Sequence, residues 1–340
     1  MQDEADQPQA KTFAMGLDFI EQNHDEDNWY LQIETFDPHE PYFSNSNYKD
    51  QYDIDGGKLG DEDWPPYGPV SDDKRELSRH YQQQNAALIS MCDHYLGKVL
   101  DAMDKHDLWK DTMLIVCTDH GFLLGEHDHW GKCSMPFWNE VANTPLFIWD
   151  PRSGVQGERR RALVQMIDFA PTLLEYFGQE APETMQGKAL KDTIADDTPV
   201  REAAIFGMFG AHVNVTDGRY VYMRACETET NSPLYEYTYA VQHMRKTYSP
   251  GELKDIELAG PFSFTKGCQV PRISRNDGGY LFDGGPNKYG HLLFDNEADY
   301  AQESPVDDSK VESRMIELLI REMKASDAPV EQFERLGLRI

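Results

Sequence analysis

The chain changes its hydrophobic period several times, and each change predicts an element. Trp29 to Glu34 alternates aromatic or aliphatic residues with others, the period of a strand, and runs into the Pro-punctuated stretch Asp37-Pro38-His39-Glu40-Pro41. Residues 44 to 70, rich in Gly, Pro, Asp and Tyr, predict a long surface loop without regular structure. From Ser71, a plausible N-cap, the residues Leu77, Tyr81, Leu88, Cys92, Leu96, Val99 and Met103 mark one face of a long helix ending near His106. Thr112 to Thr118 is apolar through its middle, and Pro145 to Asp150 repeats the pattern, so both predict strands buried on two faces. Asp168 is placed to cap a short helix through Leu174 that ends at Gly178.

Strand, helix, strand, helix points to an α/β sheet. Beyond residue 197 the pattern turns to short strands, Ala203 to Met208 and Arg219 to Ala225, the second behind the turn signal Asp217-Gly218. This predicts two domains, an α/β part over residues 1–196 and a smaller antiparallel subdomain over 197–340, closed by one amphipathic helix on Val311, Met315, Leu318, Leu319 and Met323.

Composition narrows the function. Sixty Asp plus Glu against 32 Lys plus Arg give a net charge of -28, a field that repels phosphate backbones and anionic lipid. Nucleic acid and membrane partners are therefore disfavoured. The longest apolar runs are about a quarter of the roughly 20 residues a spanning helix needs. The acidic N-terminus has neither the basic nor the apolar region of a secretory signal, which leaves the compartment, cytoplasmic or periplasmic, undetermined. Cys92, Cys117, Cys133, Cys226 and Cys268 form no CxxC pair, and Cys92 and Cys117 read as small buried apolar residues.

The chemistry concentrates where the most apolar strand ends, at Asp119-His120-Gly121, the place where α/β sheets bind ligands. A carboxylate followed by an imidazole can reach one cation if the chain turns there, and Gly121 permits close backbone approach. Capping by Asp119 with a surface His120 is the plain alternative.

Asp119-His120-Gly121 with Trp130-Gly131-Lys132 downstream resembles the second signature of the sulfatase family in the alkaline phosphatase superfamily. The resemblance extends to Pro38-His39-Glu40-Pro41, Asn143-Thr144-Pro145-Leu146 and Asp168 to Leu173, and more weakly to Asp217-Gly218-Arg219-Tyr220 and Leu292 to Asp295. It implies an alkaline-phosphatase-like sheet flanked by helices. It further implies Asp119 and His120 as metal ligands, and His39 and Lys132 as catalytic and substrate-binding groups on a sulfate ester. A divalent cation with Lys132 would offset the global negative field at such a site. Carboxylate ligands suit Ca²⁺ first, or Mg²⁺, and the imidazole raises Mn²⁺. His127 and His129 are candidates for supporting or leaving-group contacts, and the 44–70 loop and Gly210-Ala211-His212 for substrate specificity, with packing favoured for His212.

The resemblance also exposes a gap. The family's nucleophile is a formylglycine made in a Cys/Ser-x-Pro-x-Arg motif, and neither Cys133-Ser134-Met135-Pro136-Phe137 nor Cys268-Gln269-Val270-Pro271-Arg272 satisfies it. The family's opening strand and nucleophile helix do not fit before Trp29, so the chain reads as the C-terminal two thirds of a sulfatase, its nucleophile absent and its partner a missing N-terminal segment. A phosphodiester or phosphonate monoester hydrolase, and a non-catalytic metal or anion-binding remnant, are the alternatives. The sulfated alcohol, small molecule or saccharide, and any oligomer stay open.

Overall fold

The computed structural model describes residues 3–52, 54, 62–133, 135–243, 246–275 and 285–339. The chain folds as two compact units: Met1–Cys117, Phe122–Gly131 and Pro145–Gln156 form the first, and Thr118–Gly121, Lys132–Thr144 and Gly157–Ile340 the second.

The first unit is organised by α3 (Arg75–Lys105), against which α1 (Pro8–Asn23) and α2 (Ser46–Lys49) pack. Its buried face carries His80, Tyr81, Gln84, Ala87, Leu88, Met91, Tyr95, Val99 and Met103, so Met91 and Tyr95 lie deeper than the half-buried Cys92 and Leu96. Ser71 opens a 3-10 turn over Asp72–Lys74 rather than α3 itself, without a side-chain cap bond. The 44–70 stretch is not wholly irregular, because it holds α2 and the two-residue β1 (Gly68–Pro69). Its central residues, Gly56-Gly57 and Gly60 among them, lie outside the described residues.

The predicted strand at Trp29–Glu34 is not one. Trp29, Leu31 and Ile33 pack against the Ile20, Val99, Met103 and Leu108 cluster while Tyr30, Gln32 and Glu34 face outward, yet among the described residues no ladder forms there. Alternation reports which side chains face the core, whereas a strand also needs a backbone partner. Gly16 makes the contact possible, since a Cβ there would lie 2.5 Å from Ile33 Cδ1.

β2 (Leu114–Cys117) pairs antiparallel with β5 (Leu146–Trp149), Ile115 opposite Ile148. Neither is buried on two faces as their sequence predicts: β2 is half-buried and ends in an exposed Cys117, and Phe147 of β5 is 67 % exposed. Apolarity on both faces requires a covering layer on each, and the described residues bury only part of this ladder. The expectation of a buried Cys117 therefore fails with that of the strand. A second small sheet has the order β1, β4 (His129–Gly131), β3 (Leu123–Leu124).

The second unit begins its helices with α4 (Asn139–Ala142), α5 (Phe169–Tyr176) and α6 (Lys191–Asp196). An antiparallel sheet follows, made of β6 (Ala204–Gly207), β7 (Val213–Thr216), β8 (Tyr220–Arg224) and β12 (Leu292–Asp295) in the order β12-β8-β7-β6. A smaller one has the order β10 (Glu257–Ala259), β11 (Val270–Ser274), β9 (Tyr235–Tyr237). The predicted turn holds: Asp217 Oδ1 accepts from the amides of Arg219 and Tyr220, and Gly218 sits at φ 95°. α7 (Ser309–Ala325), capped by Asp308, lays Met315, Leu318, Leu319 and Met323 on Val215 and Tyr222 of the sheet. It does not close the chain alone, because Pro329 starts α8 (Val330–Arg335), whose Phe333 joins the same core.

Candidate active site

Asp119 and His120 follow β2 at the edge of the second unit. The His120 Nδ1 lies 2.9 Å from the Gly121 carbonyl. A carbonyl only accepts, so Nδ1 carries the proton and Nε2 is the basic nitrogen. That Nε2 is 3.5 Å from Asp119 Oδ2, and the Asp119 side chain is 79 % exposed. Asp119 Oδ1 accepts the His120 amide at 2.9 Å, which fixes the carboxylate beside the ring. The Asp119 carboxylate and His120 Nε2 are thus neighbours, 3.5 Å apart.

What holds this turn is backbone contact. The Gly121 amide donates to Val141 O at 2.9 Å, and a Cβ on Gly121 would lie 1.8 Å from Glu140 O, so only glycine fits against α4. The other side of α4 is locked to Asn296, Tyr300 and Gln302 through the Asn139 amide and side chain.

Lys132 is half-buried and directly follows β4. Trp130 of that strand is 1 % exposed, stands edge-on to Tyr81 of α3 at 5.9 Å and donates Nε1–H to Ser78 at 2.9 Å. The Trp of the Trp-Gly-Lys motif is a core anchor fixing where the strand ends. His129 is buried, its Nδ1 2.7 Å from His127 O, and His127 adopts φ 51°. Both histidines serve the shape of this turn.

His39 belongs to the first unit. Its ring leans on Phe36 at 4.6 Å, and Nδ1 lies 2.6 Å from Glu40 O and 3.3 Å from Glu40 Oε2. Glu40 is 2 % exposed and takes the Tyr67 hydroxyl at 2.5 Å. The Glu40 carbonyl thus accepts from Nδ1–H, with the buried Glu40 carboxylate close behind, the arrangement that orients a working imidazole. Nothing in the sequence assigns Glu40 a role, because burial of a loop glutamate has no sequence signal. Burial beside Glu40 also pushes the Tyr42 hydroxyl far above its ordinary range.

Asp168 is fully buried and, unlike the predicted cap, gives no side-chain bond to α5. It holds Arg201 through bonds of 2.6 and 2.5 Å and accepts the Gln165 and Lys188 amides at 2.7 and 2.9 Å. Its matched segment is architecture. The two weaker matches are paired strands, with Arg219 on Asp295 at 2.7 Å. His212 is buried against Gly290 O at 2.9 Å, and burial pulls its pKa down to about 4.

The sulfatase family model matches residues 4–179, more than half of the chain, and takes in His39, Asp119, His120, Lys132 and Asp168. The chain belongs to the sulfatase family. A model described as N-sulphoglucosamine sulphohydrolase, C-terminal, matches residues 125–259 of this sulfatase. It is 31 % identical over 132 residues to an N-acetylglucosamine-6-O-sulfatase of Bacteroides thetaiotaomicron, covering 38 % of this chain and 23 % of that one. Its fold matches a protein solved in complex with its substrate D-glucosamine-2-N,6-O-disulfate, at TM-score 0.51 and 18 % identity over 75 % of this chain and 42 % of that one. A phosphonate monoester hydrolase of Silicibacter pomeroyi matches at TM-score 0.61 and 16 % identity, over 95 % and 61 % of the two chains. These are alkaline-phosphatase-like folds, as the sequence predicts, and the chain spans 23 % to 61 % of the length of these relatives.

Among the described residues no group of three or more His, Cys, Asp or Glu side chains is gathered to hold a metal ion. A carboxylate and an imidazole nitrogen are donor types that suit a divalent cation, and Asp119 and His120 offer one of each. Among the described residues no helix is long and apolar enough to cross a membrane.

Proposed function

We propose that this chain carries part of the active site of an enzyme that hydrolyses a sulfate ester, with a saccharide sulfate as the first substrate class. The observation that carries the reading is the sulfatase match across residues 4–179, which takes in His39, Asp119, His120 and Lys132 together. The glucosamine disulfate complex of one relative and the N-acetylglucosamine-6-O-sulfatase activity of another support the saccharide.

In this reading Asp119 and His120 Nε2 supply two ligands of a divalent cation, Ca²⁺ before Mg²⁺ or Mn²⁺. When bound, that ion would polarise the sulfuryl oxygens. Lys132 offsets charge on the transferring group, an interaction worth most where water is excluded. His39 acting as the imidazolium, its Nδ1 proton held by Glu40, presents Nε2–H to the leaving alcohol oxygen and donates that proton as the ester bond breaks. No Cys or Ser among the 340 residues stands in Cys/Ser-x-Pro-x-Arg, so the reading places the nucleophile outside them.

The purified 340-residue chain should therefore show no turnover of an aryl sulfate. The open reading frame extended upstream, or co-expressed with a neighbouring Cys-x-Pro-x-Arg segment, should show it and lose it in Lys132→Ala. An active 340-residue chain, or an extended enzyme indifferent to Lys132→Ala, refutes the assignment. The phosphonate hydrolase fold likeness favours one second reading, hydrolysis of phosphonate monoesters, which a rate ratio on matched aryl esters decides.

A further inference from the structure

The second unit contains a cavity of about 510 Å³ remote in sequence from Asp119, His120 and Lys132, with Arg335 of α8 in its wall. Arg335 is 1 % exposed. Its Nε donates to Gln332 Oε1 at 3.0 Å, and Nη1 donates to Asn231 Oδ1 at 2.8 Å and to Ala211 O at 3.2 Å. All three acceptors are neutral. Among the described residues the ion pairs of this region are formed by other arginines: Arg275 takes Glu236 at 2.9 Å and Glu252 at 3.2 Å, Arg272 takes Glu257 and Glu331, and Arg224 takes Glu227 at 3.8 Å. Arg335 has no carboxylate partner and no hydrogen bond from Nη2 among the described residues.

A guanidinium taken out of water without an anion is unfavourable, and burial pulls Arg335 down to about 10. Glu236 also lines the cavity, but its carboxylate is engaged by Arg275 and the Tyr248 hydroxyl. The cavity therefore carries one uncompensated positive charge. The rest of the wall includes Met208, Phe209, Tyr235 and Tyr237, apolar and aromatic surface that suits a ring.

We infer that this cavity binds a compact organic oxyanion, a carboxylate or sulfate carried on one or two rings, with the anionic group on Arg335 and the ring against Tyr235 and Tyr237. Arg335 supplies the charge and its Nη2 donor, while Gln332, Asn231 and Ala211 hold Nε and Nη1 and fix the plane of the guanidinium. The volume suits a ligand of one or two rings, and the inference stands whether or not the sulfatase reading does.

Titration calorimetry on the 340-residue chain tests it, with methyl glucuronide and phenyl sulfate as probes and methyl glucoside as the neutral control. At least one oxyanion should bind at a single site, at least about tenfold tighter than the glucoside. Arg335→Gln should weaken binding by at least about tenfold, the loss expected when a charge-assisted pair becomes neutral. Because Arg335→Gln also touches the loops at 211 and 231, Met208→Trp provides a second variant that fills the cavity and leaves Arg335 in place, and it too should abolish binding. Lys132→Ala should leave binding intact.

No heat from any probe up to about 10 mM overturns the inference. So does equal binding of methyl glucoside, or binding that survives Met208→Trp in a folded protein. Binding lost in Lys132→Ala but kept in Met208→Trp would move the oxyanion to the other site and refute this one while leaving the sulfatase reading standing.

Discussion

Removing the carboxylate of Asp168 tests whether the matched Asp-Phe-Ala-Pro-Thr segment is structural. Asp168 is fully buried, its partner Arg201 is 12 % exposed, and the two share bonds of 2.6 and 2.5 Å. Asp168→Ala breaks both, orphans the Gln165 and Lys188 amides, and leaves Arg201 only the Leu163 carbonyl at 3.0 Å. Breaking a buried pair from one side costs about 3–5 kcal/mol, with the orphaned amides inside that range because these terms do not add. Arg201→Met should cost less, about 2 kcal/mol, since the carboxylate keeps its two amide donors. The double variant should cost well below the sum of the two singles, with a coupling of about 2 kcal/mol. Urea unfolding followed through Trp138, the single tryptophan of the second unit, measures each stability. Hydrogen exchange over residues 165–190 localises the loss. A cost below about 1 kcal/mol for Asp168→Ala, or singles that simply add, would refute the buried-pair account.

Gly121→Ala should be tolerated only with movement of the Asp119-His120 turn, because its Cβ would meet Glu140 O at 1.8 Å, and a cost of about 1–3 kcal/mol in urea unfolding is expected. Trp130→Ala should cost about 3–5 kcal/mol, against about 1 for Ser78→Ala, which removes only the acceptor of the indole N–H; equal costs would contradict a packing role. His212 is held neutral down to about pH 4, against an ordinary value of 6.5 when unfolded, so the unfolded chain binds the extra proton and stability falls as pH drops from about 6.5 to 4. His212→Gln should remove about 3 kcal/mol of that fall, and an unchanged slope of stability against pH would argue against a neutral buried imidazole.

Local order carries the elements that the sequence alone determines. The three- and four-residue spacing of α3 and α7 is set by helix geometry, so their buried faces are legible to within a residue. The Asp217-Gly218 turn and the strand behind it need only local bonds and one positive φ. Asp119-His120-Gly121 at a strand end, and the order of the sulfatase motifs, are likewise matters of chain order. Pairing and burial belong to the tertiary structure, because they depend on residues distant along the chain. Trp29–Glu34 has the right alternation and no ladder, and β2 and β5 have apolar runs but half-exposed faces. Tertiary contacts likewise turn Trp130 into a core anchor, give Asp168 the cation of Arg201, and put the carboxylate of Glu40 behind His39. Arg335 shows the same limit, since nothing in its own neighbourhood of sequence tells that the fold buries its charge against three neutral acceptors and the wall of a cavity.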